Sequence, residues 1–362
     1  MAELGGQAVK HILPLLRDPR EYVRAAAADA LGQCGEAAAT AVSDLTELLM
    51  DKQETVRVAA AHALGNIGEA SARAVPYLFA ALGDWTREAR QTALQALKRI
   101  GAAAVPQLVL RLKDADYRIR YRVIEVLAEI GVAGVPALAT ALSNEAAQVR
   151  WCAAEALGNI GAEAVQAAGQ LAGVLADRHD QVRLRAATAL GNIGKAAAPV
   201  ARPLLKLLDD GQWAVRAAAA EALGKTGAEV EAGVPALIKL IDDENANVRR
   251  AALTAIAALG QKAADAIPRV ISAMDDPTPN VPYLAAKAMG KLGPSAVAGI
   301  PALIRALSHE DERVRDVAAF SLGRLGHAAS AALPALHRLL NDSSADVVNA
   351  AEQAIERIRA KA

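Results

Sequence analysis

Apolar and polar positions along this chain repeat with two periods, one nested inside the other. The short period is helical. In Val149–Gly161, VRWCAAEALGNIG, with the valine counted as position 1, the recurrently apolar or small positions are 5, 9 and 12. Steps of three and four place them on one helical face. The long period is the recurrence of the stretch itself: VRVAAAHALGNIG at Val56–Gly68, VRLRAATALGNIG at Val182–Gly194, VRAAAAEALGKTG at Val215–Gly227. Closing glycines fall at Gly35, Gly68, Gly101, Gly131, Gly161, Gly194, Gly227, Gly260, Gly293 and Gly326. Their intervals are 33, 33, 30, 30 and then 33 five times, and an eleventh copy, Val347–Arg359, ends without glycine. A fixed period of this size marks stacked supersecondary units. Across copies, position 5 is alanine except at Val123, position 9 is Leu, Ile or Met, and positions 3, 7 and 11 vary freely. The first set predicts a packed face, the second its opposite stripe.

A second helical pattern precedes each motif, as in Ala74–Leu82 (AVPYLFAAL), Gly233–Ile241 (GVPALIKLI) and Gly299–Leu307 (GIPALIRAL). Pro76, Pro106, Pro136, Pro235, Pro268, Pro301 and Pro334 share one register in it, with Pro203 one place off. Such a proline either begins a helix or bends it, because it cannot donate to the ladder. The two 30-residue intervals lack three residues between glycine and proline, which predicts a shorter first helix there. A turn follows, carrying Asp18, Asp51, Asp84, Asp114, Asp177, Asp210, Asp243, Asp276 and Asp342 in one register, with Asn144 and His309 in the other copies. Thr86, Asp116, Asn245, Thr278, Asp311 and Ser344 stand as cap formers two residues on, and Pro279 as a first helical residue. The second helix is expected to stop at a left-handed glycine.

Composition narrows the class. Forty basic and forty acidic residues cancel, unlike the strongly basic balance of a dedicated nucleic-acid binder. Cys34 and Cys152 lie in different copies with no disulfide or metal spacing, and Cys34, at an Ile/Leu position, reads as a buried thiol. The first residues, MAELGGQAVKHILPLL, do not read as a signal peptide, and no apolar run reads as a bilayer span. The expectation is a monomeric, soluble protein in a reducing cytoplasmic setting, without membrane contact. Polar Glu352, Glu356, Arg357, Arg359 and Lys361, with Pro14 out of register, read as array caps.

VRxxAAxALGxIG, the first-helix proline and the Asp-then-Arg register resemble HEAT repeats, most of all the short class found in phycobilisome lyases and many bacterial proteins. The resemblance runs from about Lys10 to Arg359. It implies one all-α array over 1–362, a right-handed α-solenoid (superhelix) of about eleven two-helix repeats, with the second helices on its concave side. At roughly 10 Å per unit the arc would be about 100 Å long. It also implies that the position-2 arginines pair with turn aspartates in a structural ladder, here Arg57, Arg150, Arg183, Arg216 and Arg249 with Asp51, Asp177, Asp210 and Asp243. Pro282 and Val348 interrupt the arginine row, and at Pro282 a break in the ladder and a local change of curvature are expected.

Position 3 carries Tyr121, Trp151 and Leu184 in successive copies of a chain with 3% aromatics. Tyr117, Arg118, Arg122, Glu125, Glu155 and Arg185 surround them, and aromatics with arginine are typical of binding hot spots. Partner binding, packing between repeats and surface scatter all remain open for them. RLKDADYRIRYR, at Arg111–Arg122, could meet an acidic peptide or nucleic acid, or be a solvated helix face. Trp85 and Trp213 read as covers for helix ends. Six scattered histidines form no H-E-x-x-H, no G-x-S-x-G occurs, and His309-Glu310 is a lone pair where the iron-binding HEAT hydroxylase uses several. No catalytic residue, metal or cofactor is expected. The reading is a non-enzymatic scaffold for a protein or peptide; a bilin-lyase-like subunit and, further off, a nucleic-acid binder are its rivals.

Overall fold

The computed structural model describes residues 2–84 and 86–360, and no strand occurs among them. Trp85 and Lys361, named above, lie outside the described residues. The chain is an all-α solenoid whose repeats group into two compact units, one ending at Ala167 and the other starting at Ala168.

Second helices of the first unit are Glu21–Gln33, Glu54–Ile67, Arg87–Ile100, Tyr117–Ile130 and Ala147–Ile160. Those of the second are Asp180–Ile193, Trp213–Thr226, Ala246–Leu259, Val281–Lys291, Glu312–Leu325 and Ala345–Arg359. Position 5 is buried in the motif copies, as Ala60, Ala93, Val123, Ala153 and Ala186 show, and so are the position-9 leucines Leu31, Leu64, Leu97, Leu127, Leu157 and Leu190. Each leucine contributes roughly 2 kcal/mol of burial. Cys152 is buried, whereas Cys34 is only half-buried, contrary to the expectation from its register; position 12 is buried in some copies, as at Ile67 and Ile100, and half-buried in others, as at Ile130 and Ile160.

Most first helices are bipartite, Val230–Leu240 being a single α-helix and the first copy running from α-helix Ala2–Ile12 into 3₁₀ Leu13–Arg17. From the closing glycine a 3₁₀ segment runs into a short α-helix, as in Gly68–Ala74 then Val75–Ala81. The register proline lies in the first α-helical turn of Val75–Ala81, Val105–Arg111, Val135–Ala141, Ile267–Ala273, Ile300–Ala306 and Leu333–Leu339, so it begins those helices. Pro235 is the exception, inside Val230–Leu240. The 30-residue copies do not shorten the α-helix. Val105–Arg111 and Val135–Ala141 keep 7 residues, and the 3₁₀ lead-ins Gly101–Ala104 and Gly131–Gly134 shrink to 4 from the usual 7.

The closing glycines have positive φ, but most are not in the left-handed helical region. Gly68 has φ 74° and ψ −138°, a region essentially confined to glycine, and Gly101, Gly131, Gly161, Gly194, Gly260 and Gly326 resemble it; Gly227 (φ 64°, ψ 20°) is left-handed. A second glycine, at position 10, has a separate task. A Cβ on Gly32, Gly65, Gly191, Gly224 or Gly323 would come within 2.6–3.0 Å of the Cα of Ala63, Ala96, Ala222, Ala255 or Ala354 in the next repeat. Neighbouring second helices therefore touch backbone to backbone at this glycine.

Thr86, Asp116, Asn245 and Asp311 cap their helices through the side chain, while Ser344 makes no such bond. Repeat 9 departs from expectation. Its helix starts at Val281, beyond Pro279, with Asn280 at φ 68° as the preceding residue, and the Thr278 hydroxyl accepts from Arg249 instead of capping.

Contrary to the expectation that no apolar run is long enough, Tyr117–Ala141 has the length and composition of a bilayer span, with 44% of its most apolar window buried. The chain turns there at Gly131 (φ 70°), so the stretch is two short helices joined by a 3₁₀ segment.

Candidate interaction groove

The turn residues are positioned by a joint repeated along the array. Each position-2 arginine donates through Nη1 to the carbonyl of its own turn residue, as Arg57 does to Asp51 (2.9 Å). Arg24, Arg57, Arg183, Arg216, Arg249 and Arg315 also reach the aspartate of the following repeat. The Nε contacts are Arg24–Asp51 2.8 Å, Arg57–Asp84 2.7 Å, Arg183–Asp210 2.7 Å, Arg216–Asp243 2.8 Å, Arg249–Asp276 2.9 Å and Arg315–Asp342 2.8 Å. The same carboxylate accepts the N–H two residues on, Gln53 to Asp51 at 2.9 Å. These hydrogen bonds from Arg57, and then from the Thr86 N–H, overcome burial and hold the Asp84 carboxyl at about 2. Buried Arg150 donates to the Asn144 and Glu145 carbonyls at 2.8 Å, and Asp177 accepts from the His179 N–H at 2.9 Å. The joint is missing at Pro282, where the next turn offers His309, whose Nδ1 accepts from the Asp311 N–H at 3.0 Å.

At repeats 4 and 5 the joint is rebuilt. Asn144 stands where a carboxylate would meet Arg120, and the buried Arg120 Nε has no hydrogen-bond partner. Its guanidinium lies 5.8 Å from the centroid of the half-buried Trp151 ring. A cation over an indole face is a favourable pair. Trp151 thus serves as Arg120's counterpart in place of aspartate, a link that needs three dimensions to see.

The other aromatics stand differently. Tyr117 and Tyr121, four residues apart on Tyr117–Ile130, are 65% and 60% exposed, and Arg118 packs against the Tyr117 ring at 5.8 Å. Beside them the second helices of repeats 3 to 5 separate. Position 10 is Lys98 in repeat 3 and Ala128 in repeat 4, and these helices touch much less than their neighbours do. The gap is a cavity of about 430 Å³ lined by Arg90, Gln91, Leu94, Arg122, Glu125 and Glu129, among others. Arg122 extends over the repeat-3 turn, where a Cβ on Gly83 would lie 3.6 Å from its Nη1, and Lys98 pairs with Glu129 at 2.6 Å along the edge. Of the predicted site residues, Arg122 and Glu125 line the groove; Tyr117, Arg118 and Tyr121 are exposed on the same helix; Glu155 is half-buried on Ala147–Ile160. Leu184 and Arg185 belong to the second unit, half-buried on Asp180–Ile193. Trp213 opens its helix, 44% exposed. The motif reading does not single out Gln91 and Leu94, which line the groove, and the absence of glycine at position 10 does not mark the place by itself, because Ala257 shares it. Among the described residues, no three His, Cys, Asp or Glu side chains gather to hold a metal ion.

A model of HEAT repeats matches residues 9–98, 105–190, 168–234, 201–276, 234–298 and 267–356. No curated protein matches the sequence. Among solved structures, an engineered protein from a structural genomics consortium is similar over 98% of this chain and 99% of its own, at 22% identity and TM-score 0.54. The karyopherin Kap121p bound to the SUMO protease Ulp1p is similar over 99% of this chain and 45% of its own, at 16% identity and TM-score 0.61. Kap121p bound to Nup53p gives 98%, 45%, 16% and 0.58. The chain spans just under half the length of those karyopherins, and the likeness at such identity is one of fold. With the repeat matched along most of its length, the chain belongs to the HEAT-repeat family.

Proposed function

We propose that the protein is a non-enzymatic scaffold that holds a protein or peptide partner on the second helices of its first unit. The carrying observation is the groove between Arg87–Ile100 and Tyr117–Ile130, together with the exposed Tyr117 and Tyr121 on the second of these helices. Exposed tyrosines on a rigid helix supply contact area at low entropic cost, and Arg122 and Glu125 beside them would orient a polar backbone or side chain. The groove's mixed charge, like the chain's formal net charge of +0, suits a protein better than nucleic acid. The reading places this face on the concave side of the solenoid. It takes the molecule as a cytoplasmic monomer, and it calls for no cofactor.

The test is differential peptide selection. A displayed random library is enriched on wild-type protein and counter-selected on Tyr117→Ala/Tyr121→Ala, whose exposed positions leave the helical circular dichroism unchanged. Recovered peptides should bind the double variant at least about tenfold more weakly, since each lost anchor is worth about 1 kcal/mol or more. If no sequence is enriched on wild type over the variant, the proposal is wrong.

A further inference from the structure

The second unit carries another groove, of about 280 Å³, between the helices Val281–Lys291 and Glu312–Leu325. Tyr283 and Phe320 give it two rings, and Lys291 and Arg324 stand exposed at its edge. From the next helix, Ala345–Arg359, exposed Arg357 reaches the Phe320 ring, 5.6 Å from its centroid. Lys291, Arg324 and Arg357 all occupy motif position 11, so three successive second helices present a cation at the same level.

That row is unlike the rest of the array. Where position 11 is cationic elsewhere, the side chain reaches back to an asparagine one repeat earlier: Arg99 to Asn66, and Lys225 to Asn192 at 3.3 Å. In the last three repeats the residue one repeat earlier is Ala258 for Lys291 and another cation for Arg324 and Arg357, so no asparagine is within the register. A cation near a helix C-terminus suits the dipole of its own helix, which applies to each of the three; it does not supply the side-chain partner that Asn66 and Asn192 give elsewhere.

Geometry selects the ligand. Packed helix axes lie about 8–10 Å apart, so the cations recur at about that interval. A polyproline-II strand has three residues per turn and rises about 9 Å per turn, returning every third side chain to one face. A β-strand would turn every third residue to the opposite face. Proline rings also pack well on aromatics such as the exposed Phe320 and the half-buried Tyr283. Asp316 lines the far end of the groove, eight residues, about 12 Å of helix, from Arg324, and Asp346 stands near the start of Ala345–Arg359. They bound the basic edge and oppose a polyanion lying across the whole face. We infer that this groove binds an acidic, proline-rich segment in polyproline-II conformation, with a carboxylate at every third residue meeting Lys291, Arg324 and Arg357.

The site belongs to the second unit and does not rest on the reading of the first-unit groove. The probe is a fluorescein-labelled (Glu-Pro-Pro)₃ peptide, titrated by anisotropy at low salt against the full chain. A control of identical composition has its three glutamates adjacent. The spaced peptide should bind about tenfold more tightly than the clustered one, and Lys291→Ala/Arg324→Ala/Arg357→Ala should lose that advantage. Tyr117→Ala/Tyr121→Ala should keep it. Equal binding of the two peptides, no binding of the spaced one, or full binding by the triple variant would each overturn the inference. Tighter binding of a single-stranded oligonucleotide than of the spaced peptide would reassign the row to nucleic acid.

Discussion

Replacing Asp84 by asparagine removes one charge from the joint between repeats 2 and 3 while keeping its shape. The carboxylate accepts from Arg57 Nε at 2.7 Å, from Arg57 Nη2 at 3.1 Å and from the Thr86 N–H at 3.0 Å. Arg57 and Asp84 side chains are only 14% and 8% exposed, so water screens the pair little. A carboxyl held at about 2 instead of 3.8 contributes about 2 kcal/mol at neutral pH. Because the folded value is the lower one, that contribution is complete well above pH 4. It falls to about 1 kcal/mol at pH 3 and fades as pH drops through about 2. Asn144 shows that an amide keeps the turn, accepting from the Ala146 N–H at 3.0 Å. Asp84→Asn should therefore cost about 2 kcal/mol at pH 7 and about half that at pH 3. Repeat arrays need not unfold as one unit, so the direct readout is hydrogen exchange of amides in Glu54–Ile67 and Arg87–Ile100, with urea unfolding as the global check. A loss of protection that is equal at the two pH values, or absent at pH 7, would refute the electrostatic account.

Two further substitutions separate packing from propensity and from polarity. Gly224→Ala gains helix propensity but drives a Cβ to 2.6 Å from the Ala255 Cα, so urea unfolding should show a loss of about 1–3 kcal/mol; Gly169→Ala, whose Cβ meets nothing within 4 Å, should gain up to about 1 kcal/mol. Ser71 has a buried hydroxyl without a hydrogen-bond partner, at the place where the copies one and three repeats away carry Ala38 and Ala164. Ser71→Ala should raise stability by about 1 kcal/mol, and a decrease in the urea midpoint would show that the hydroxyl has an unseen partner.

What could be read from the chain alone followed from repetition. Comparing copies separated buried position 5 from exposed Tyr121, and the aspartate and arginine registers announced the joint. Features that depend on the distance between copies were harder to read. LGxIG looks like one helix-ending signal, yet its two glycines do different things: Gly65 admits the backbone of Ala96, and Gly68 turns the chain. The three-residue deletions were visible, but not that the 3₁₀ lead-in absorbs them while Val105–Arg111 keeps its length. Asn144 and Trp151 each looked like an isolated exception. They belong together because Arg120 reaches forward into the next repeat, and no periodicity inside one copy encodes that reach.

The forward reach also bears on how such a chain can change its length. Within a run of 33-residue copies the two halves of a joint sit 27 residues apart, so a copy holds the donor for its successor and the acceptor for its predecessor. Cutting out or duplicating one full period, at whatever point the cut falls, joins an arginine to an aspartate at the same separation. Gene-level gain or loss of a copy therefore leaves every surviving junction already matched. The interval that resists such editing is the stretch from Arg90 to Trp151, where the deletions and the tryptophan have made the copies individual.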